Sequence, residues 1–205
     1  MHLTIPPFLL GLATAAAIQP RQSSPAPHSM GFIGCSMAEN VAQGYTSLAL
    51  SAKMWPPYGT NGLVVQSWTN TKSSSWQLFD RQVAKYGGSK PTEVWVMVCI
   101  FQNPGATYEE VKTMINNARE HAAPGAKIYV TGQPVYPDNP SSCFLAGASG
   151  PQATVDLAKR AGADAELNVT YPGEFKLMKG EVQDGCHANA AGQKSLGRQA
   201  LDFWG

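Results

Sequence analysis

Short continuous apolar runs alternate along the chain with longer stretches in which apolar positions recur at helical spacing. The clearest run covers residues 94–101 and is apolar throughout, which indicates a strand buried on both faces of a parallel sheet. Similar but shorter runs predict further strands. The predicted strands cover residues 31–35, 63–68, 94–101, 127–132 and 165–169, and the predicted helices cover 38–54, 75–86, 107–121, 151–161 and 188–204.

The alternation of these elements predicts the fold class. Strands that alternate with helices favour an α/β protein, here a three-layer α/β/α sandwich with a central parallel sheet of about five strands. In such sheets the ligand site lies beyond the carboxyl ends of the strands. Candidate functional residues are therefore sought immediately after each predicted strand.

The N-terminal residues have a different pattern. Residues 8–17 are apolar and end in the small residues Ala15, Ala16 and Ala17, which predicts a signal peptide over residues 1–17; a buried first helix is the alternative. The run is too short for a membrane-spanning helix, which needs about 20 apolar residues. We expect a secreted protein without a membrane partner, with a Pro/Ser-rich leader over residues 18–29 and a single domain over residues 30–205.

Composition and charge exclude several function classes. Lys and Arg number 15 and Asp and Glu number 14, giving a net charge of +1, so the chain has no electrostatic footprint for nucleic acid. The four cysteines include no C-x-x-C pair, and a secreted protein favours disulfides over a metal site. We therefore expect no metal, no cofactor and a monomeric protein.

Two segments carry candidate chemistry. Ser36 follows the first predicted strand at the start of a helix, although Ser36 and Glu39 also have the spacing of a helix capping box. Asp184 precedes His187 by three residues, so its carboxylate can accept from Nδ1–H and leave Nε2 free as a base; a helix start is the alternative. Asn103 closes the third strand and can donate to an oxyanion or form the turn before Pro-Gly.

These segments together resemble the SGNH hydrolase superfamily of GDSL esterases and lipases. Residues 34–37 (GCSM) stand where the family's Gly-Asp-Ser-Leu block carries the nucleophile. Residues 98–103 match the strand that leads into the Gly-x-Asn-Asp block, and residues 184–187 (DGCH) match the Asp-x-x-His block. Residues 124–134 are similar to the family's fourth-strand segment. The chain departs from the family in residues 66–70, which contain no glycine where the family has one.

The resemblance implies a flavodoxin-like fold and an esterase mechanism. Ser36 would attack an ester carbonyl, His187 would transfer the proton and Asp184 would orient the imidazole. The Ser36 amide and the Asn103 side chain would bind the oxyanion. Cys35 replaces the aspartate that precedes the nucleophile in the family.

The expected function is a secreted serine esterase that hydrolyses small O-acyl esters, with carbohydrate O-acetyl groups as the most specific substrate class. Trp68, Phe101 and Tyr136 follow predicted strands and can either stack on a sugar ring or pack at the rim of the site. Two alternatives stay open: a non-hydrolytic glycan-binding protein with the same fold, and a polysaccharide lyase that uses His187 as its base.

The remaining predictions concern covalent modifications. Cys143 and Cys186 both fall in loops on the ligand side and are predicted to form a disulfide. Cys35 and Cys99 lie in apolar strand segments and are either free thiols or a bonded pair, if strands one and three are neighbours as in the related fold. Asn168, in the sequence N-V-T, is the single N-glycosylation acceptor.

Overall fold

The computed structural model describes residue 1 and residues 27–49, 52–139 and 143–205, so the predicted signal peptide after residue 1 and most of the leader lie outside the described residues. The described part is an α/β fold around a parallel sheet. Its strands are β1 (Met30–Ile33), β2 (Glu93–Val98) and β3 (Lys127–Gly132), in the order β1-β2-β3. β2 is the central strand and is almost completely buried, as its continuous apolar sequence predicted.

Five helices connect and flank the strands within the described residues. The helix over Tyr108–His121 begins with the predicted capping box. The Thr107 hydroxyl accepts from the Glu110 amide, and the Glu110 carboxylate accepts from the Thr107 amide. The third and fourth helices pack against β2 and β3, and the first helix packs along the fifth. The helices are α1 (Ser36–Leu48), α2 (Ser74–Lys85), α3 (Tyr108–His121), α4 (Gly150–Ala163) and α5 (Ala190–Trp204).

Two predicted strands are absent, so the described sheet has three strands instead of about five. The apolar run at residues 63–68 ends in a 3-10 helix, Val65–Trp68, where the Val65 amide donates to the Cys99 carbonyl at the end of β2. Residues 165–169 form no strand; only Thr170, just beyond them, pairs with β3, at Tyr129. Short apolar runs do not distinguish strands from other buried segments, which explains the error at residues 63–68. In residues 165–169 only Leu167 is buried, so this segment has no apolar face to pack as a strand.

The packing of α1 on α5 depends on two glycines that allow the helix backbones to touch. A Cβ atom on Gly44 would lie 1.8 Å from the Gln193 carbonyl oxygen, and one on Gly197 would lie 2.3 Å from the Gly44 carbonyl carbon. Helix α1 begins at Ser36, and α5 follows the segment that contains His187. The glycine contact therefore helps to set the distance between the two ends of the chain that carry candidate chemistry.

This contact predicts a specific sensitivity to an added methyl group. Gly44→Ala should lower the free energy of unfolding by about 1–3 kcal/mol or more, because the new Cβ overlaps the α5 backbone. Gly180→Ala is the control, since a Cβ at Gly180 meets no atom within 4 Å. Urea unfolding of both variants measures the difference in stability. Equal stabilities would show that the packing of α1 on α5 adjusts to the extra methyl group without a loss of stability.

Candidate active site

Ser36 is presented by a tight turn between β1 and α1. Gly34 adopts a φ of 154°, a conformation that favours glycine, and a Cβ there would lie 2.9 Å from the Ala38 Cβ and 3.0 Å from the Met97 Cβ. The chain then passes through Cys35 and begins α1 at Ser36. The hydroxyl is thus held at the carboxyl end of β1, where α/β folds bind ligands.

Ser36, His187 and Asp184 form a continuous hydrogen-bonded chain. Ser36 Oγ lies 2.7 Å from His187 Nε2, and His187 Nδ1 lies 2.7 Å from Asp184 Oδ2. Because an ionised carboxylate only accepts, Nδ1 carries the proton and Nε2 accepts from the serine hydroxyl. This is the arrangement that the sequence predicted for these three residues.

Asp184 is fixed by the loop that contains it. Its second oxygen, Oδ1, accepts from the backbone amides of Cys186 at 3.1 Å and His187 at 2.8 Å. Partial burial raises the pKa of Asp184, but the hydrogen bonds from the His187 amide and ring and from the Cys186 amide outweigh it. The net pKa lies below its ordinary value, so the group is a carboxylate at neutral pH.

The structure also decides between the two interpretations of the Ser36–Glu39 spacing. No side-chain cap is present at the start of α1. Ser36 Oγ instead contacts His187, and the Glu39 carboxylate accepts from the backbone amides of Tyr58 and Thr60 in a neighbouring loop. The capping-box interpretation is therefore wrong, because both side chains have other partners.

A cavity of about 550 Å³ opens above Ser36 and His187. Among the described residues its lining contains no Asp, Glu, Lys or Arg side chain, and His187 is the titratable residue that they expose to it. The amide side chains of Asn40, Asn61, Gln133 and Gln183 also line it. Most of the wall is apolar and is formed by Met37, Leu63, Val64, Ile100, Phe101 and Leu145 together with the four cysteines.

Two disulfides border the cavity. One includes the residue before Ser36, and the other includes the residue before His187. Cys143 pairs with Cys186, next to His187, as predicted. Cys35, next to Ser36, pairs with Cys99, so these residues are not free thiols. Their Cα atoms lie 6.1 Å apart at the ends of the adjacent strands β1 and β2, a distance that a disulfide can bridge.

Two of the three aromatic residues predicted to stack on a sugar belong to the protein interior. Trp68 is fully buried, and its Nε1 donates to the Gly34 carbonyl at 3.1 Å. Tyr136 is 3% exposed, its hydroxyl donates to the Cys186 carbonyl, and burial raises its pKa well above the ordinary value. Phe101 is 38% exposed and lines the cavity. The prediction that Trp68 and Tyr136 are placed to stack on a sugar was therefore wrong, because both rings are buried and neither lines the cavity.

Asn103 also lies away from the predicted position. It falls in an exposed turn closed by a hydrogen bond from the Gly105 amide to the Phe101 carbonyl, outside the cavity lining. Asn61 and Gly62 occupy the cavity wall instead, and the sequence analysis missed them. The glycine of the related family is expected after the predicted second strand, at residues 66–70. In this chain Asn61 and Gly62 instead precede the apolar run at residues 63–68.

Asn40 is a third residue of the cavity wall that sequence reasoning missed. It lies one helical turn after Ser36 on α1, and its Oδ1 accepts from the Ala188 amide at 2.9 Å. This bond attaches the segment beside His187 directly to the helix that begins with Ser36. A spacing of four residues on one helix is the signal that could have indicated it.

The predicted glycosylation acceptor lies at the surface. Asn168 is exposed and has a φ of 47°, and its carbonyl accepts from the Arg119 guanidinium at 3.3 Å. Its modification stays a prediction.

In the described ranges no cluster of three or more His, Cys, Asp or Glu residues is arranged to hold a metal ion. Over the same residues, no helix is long and apolar enough to cross a membrane.

Comparison with known proteins adds no relative. No protein-family model matches the chain, and no curated protein matches it. The resemblance to SGNH hydrolases therefore rests on the sequence segments at residues 34–37, 98–103 and 184–187.

The Cys143–Cys186 disulfide generates a stability prediction. The bond closes a separation of 43 residues, for which chain entropy gives about 4 kcal/mol of stabilisation. The double variant Cys143→Ser/Cys186→Ser should lose about 2–5 kcal/mol in urea unfolding. Peptide mapping without reduction should recover the two cysteines linked; recovery of both as alkylated thiols from oxidised protein would contradict the pairing.

Proposed function

We propose that this protein is a serine esterase of the SGNH type. The observation that carries the proposal is the hydrogen-bonded chain Ser36–His187–Asp184 at the carboxyl edge of a parallel sheet, at the base of an open cavity. A polysaccharide lyase needs a base but no serine aligned with it, so the Ser36–His187 bond favours ester hydrolysis. Single parallel bridges at both sheet edges, at Met54 and Thr170, are compatible with the five-stranded sandwich of that family.

The geometry supports a two-step mechanism. Ser36 Oγ attacks the ester carbonyl carbon while His187 Nε2 takes the hydroxyl proton, and the Asp184 carboxylate stabilises the resulting imidazolium. The tetrahedral intermediate then collapses, the bond to the alcohol oxygen breaks, and His187 returns the proton to the leaving alcohol. Water repeats the sequence with His187 as base, releasing the carboxylic acid and regenerating Ser36.

The oxyanion is proposed to bind between the start of α1 and the loop opposite. The first helical turn has no side-chain cap, and its first two residues, Ser36 and Met37, both line the cavity. Their backbone amides are therefore available to an anion there, together with the positive end of the helix dipole. Asn61 and Gly62 line the same cavity and supply the further donors. Their place in the cavity wall supports them as the oxyanion donors, the role that was expected of the Asn103 side chain.

The cavity lining supports neutral esters with an apolar group as the substrates. Its volume of about 550 Å³ is in the usual range for small-ligand sites and exceeds what an acetyl group needs. No basic side chain lines it to pair with an anionic substrate. Of the three aromatic residues predicted to stack on a sugar ring, only Phe101 lines the cavity. Esters with an apolar acyl or aryl group therefore match the cavity wall better than a carbohydrate does.

We further propose that the protein acts outside the cell. Both disulfides require an oxidising environment to form and persist, and the predicted signal peptide accounts for export.

An activated serine can be detected before the natural substrate is known. Treatment with an alkyl fluorophosphonate should add one phosphonyl group to Ser36, since His187 activates that hydroxyl alone. Mass spectrometry of the peptides identifies the modified residue. Ser36→Ala should abolish labelling, whereas Ser47→Ala, on the same helix but exposed, should leave it unchanged. Absence of labelling in the folded wild type would refute the proposal.

Substrate charge is the second test. A p-nitrophenyl pentanoate should be hydrolysed with a kcat/KM at least about 10-fold above the similarly sized hemisuccinate, because an anion in this uncharged cavity loses hydration without gaining a partner. Phe101→Ala should reduce kcat/KM for the pentanoate. Met178→Ala is the matched control, since Met178 is 46% exposed and lies outside the cavity lining. Equal rates for the two esters would contradict the proposed selectivity.

A further inference from the structure

The Glu39 carboxylate binds a run of consecutive backbone amides in the loop opposite α1. Its Oε1 accepts from the amides of Tyr58 at 3.0 Å, Gly59 at 2.5 Å and Thr60 at 2.7 Å. Glu39 is 9% exposed, so these contacts are largely shielded from water. Hydrogen bonds to an ionised acceptor are about twice as strong as those between neutral groups, so one carboxylate can hold a whole segment of backbone.

The segment held by Glu39 leads directly into the cavity wall. Asn61 and Gly62 follow Thr60 and are the residues of this loop, residues 58–62, that line the cavity. Both are exposed, and Gly62 has a φ of 74°. An exposed turn of this kind depends on its flanking residues for a defined position.

The same segment has a second connection to the turn that presents Ser36. The Thr60 hydroxyl is fully buried and donates to the Cys35 carbonyl at 3.1 Å. Glu39 and Cys35 flank Ser36 in the sequence, so both connections join the 58–62 loop to the turn and helix that carry the nucleophile. Three residues of helix span about 4.5 Å, which leaves little freedom between Ser36 and Glu39.

We propose that Glu39 is a positioning residue: it fixes the 58–62 loop so that Asn61 and Gly62 face the oxyanion formed at Ser36. This inference rests on the proposed esterase function. Glu39 itself is not among the residues that line the cavity. It acts through the loop backbone, and a displacement of about 1 Å in such donors can reduce the rate about 100-fold.

The test compares Glu39→Gln with Glu93→Gln. Glu93 is a second largely buried glutamate, paired with Lys53 at 3.0 Å near the amino end of β2 and absent from the cavity lining. For each variant we would measure kcat and KM with p-nitrophenyl pentanoate, the Kd of an alkylboronic acid and the thermal midpoint. The boronic acid forms a tetrahedral adduct with a serine hydroxyl and therefore reports oxyanion binding.

In Glu39→Gln the side-chain oxygen can still accept from the loop amides, but it carries no charge, so these hydrogen bonds weaken. We expect kcat to fall by about 10-fold with KM nearly unchanged, because the contact between the loop and the oxyanion exists only in the transition state. The boronate Kd should rise in parallel with the fall in kcat/KM. Glu93→Gln should lower the thermal midpoint but leave kcat and the boronate Kd unchanged. A merely structural role for Glu39 would instead make the two variants behave alike.

Several results would overturn the inference. The decisive variant is Glu39→Leu, which has no acceptor for the loop amides and should reduce kcat by about 100-fold. An unchanged kcat in folded Glu39→Leu refutes the role of Glu39 and leaves the esterase proposal intact if the wild type is still labelled at Ser36. A fall in kcat without a change in boronate affinity also refutes it. If Glu39→Leu does not fold, Thr60→Val removes the second connection of the same loop, and an unchanged kcat and boronate Kd in that variant refute the positioning model. A wild type that neither labels nor binds the boronate refutes both proposals.

Discussion

The candidate site depends on the backbone contact between α1 and α5 at Gly44 and Gly197. Ser36 and His187 are 151 residues apart in the sequence, and no local interaction brings them together. Helix α1 carries Ser36 at its first residue, and α5 begins shortly after His187, so the separation of these helices limits the separation of the two side chains. Any larger residue at the contact would move the helices apart, because interiors are close-packed and transmit such displacements. A hydrogen bond of 2.7 Å tolerates little of that movement.

Covalent and polar connections then reduce the freedom that remains. Cys186 and Ala188 flank His187; the first is bonded to Cys143 and the second donates its amide to Asn40 on α1. On the serine side, Cys35 is bonded to the end of β2. Both Ser36 and His187, the candidate nucleophile and base, are therefore held by their immediate neighbours in the chain. Catalysis by preorganised groups needs this kind of support, because the geometry must exist before the substrate arrives.

The parts of this site that sequence reasoning found are those fixed by local rules. Ser36 follows a strand, and Asp184 and His187 share one short loop, so strand-end placement and spacing sufficed. Asn61 and Gly62 were missed because their position depends on how the run at residues 63–68 folds, and an apolar run alone does not separate a strand from a buried 3-10 turn. Trp68 was misplaced for the same reason: the turn directs its ring into the interior, where Nε1 has a backbone partner. The disulfide choice at Cys35 and Cys99 required knowing that β1 and β2 are neighbours.

The start of α1 shows how function and local stability conflict in this chain. A serine followed three residues later by glutamate ordinarily caps a helix, and losing such a cap lowers stability by about 0.5–2 kcal/mol. Here Ser36 contacts His187 and Glu39 holds the opposite loop, so the first-turn amides have no side-chain cap. The same residues had a stabilising local arrangement within reach, and the arrangement adopted leaves those amides available at the cavity, as the proposed oxyanion site requires. Proteins give up local stability at sites of this kind and recover it elsewhere, in this case through the buried sheet and two disulfides that border the cavity.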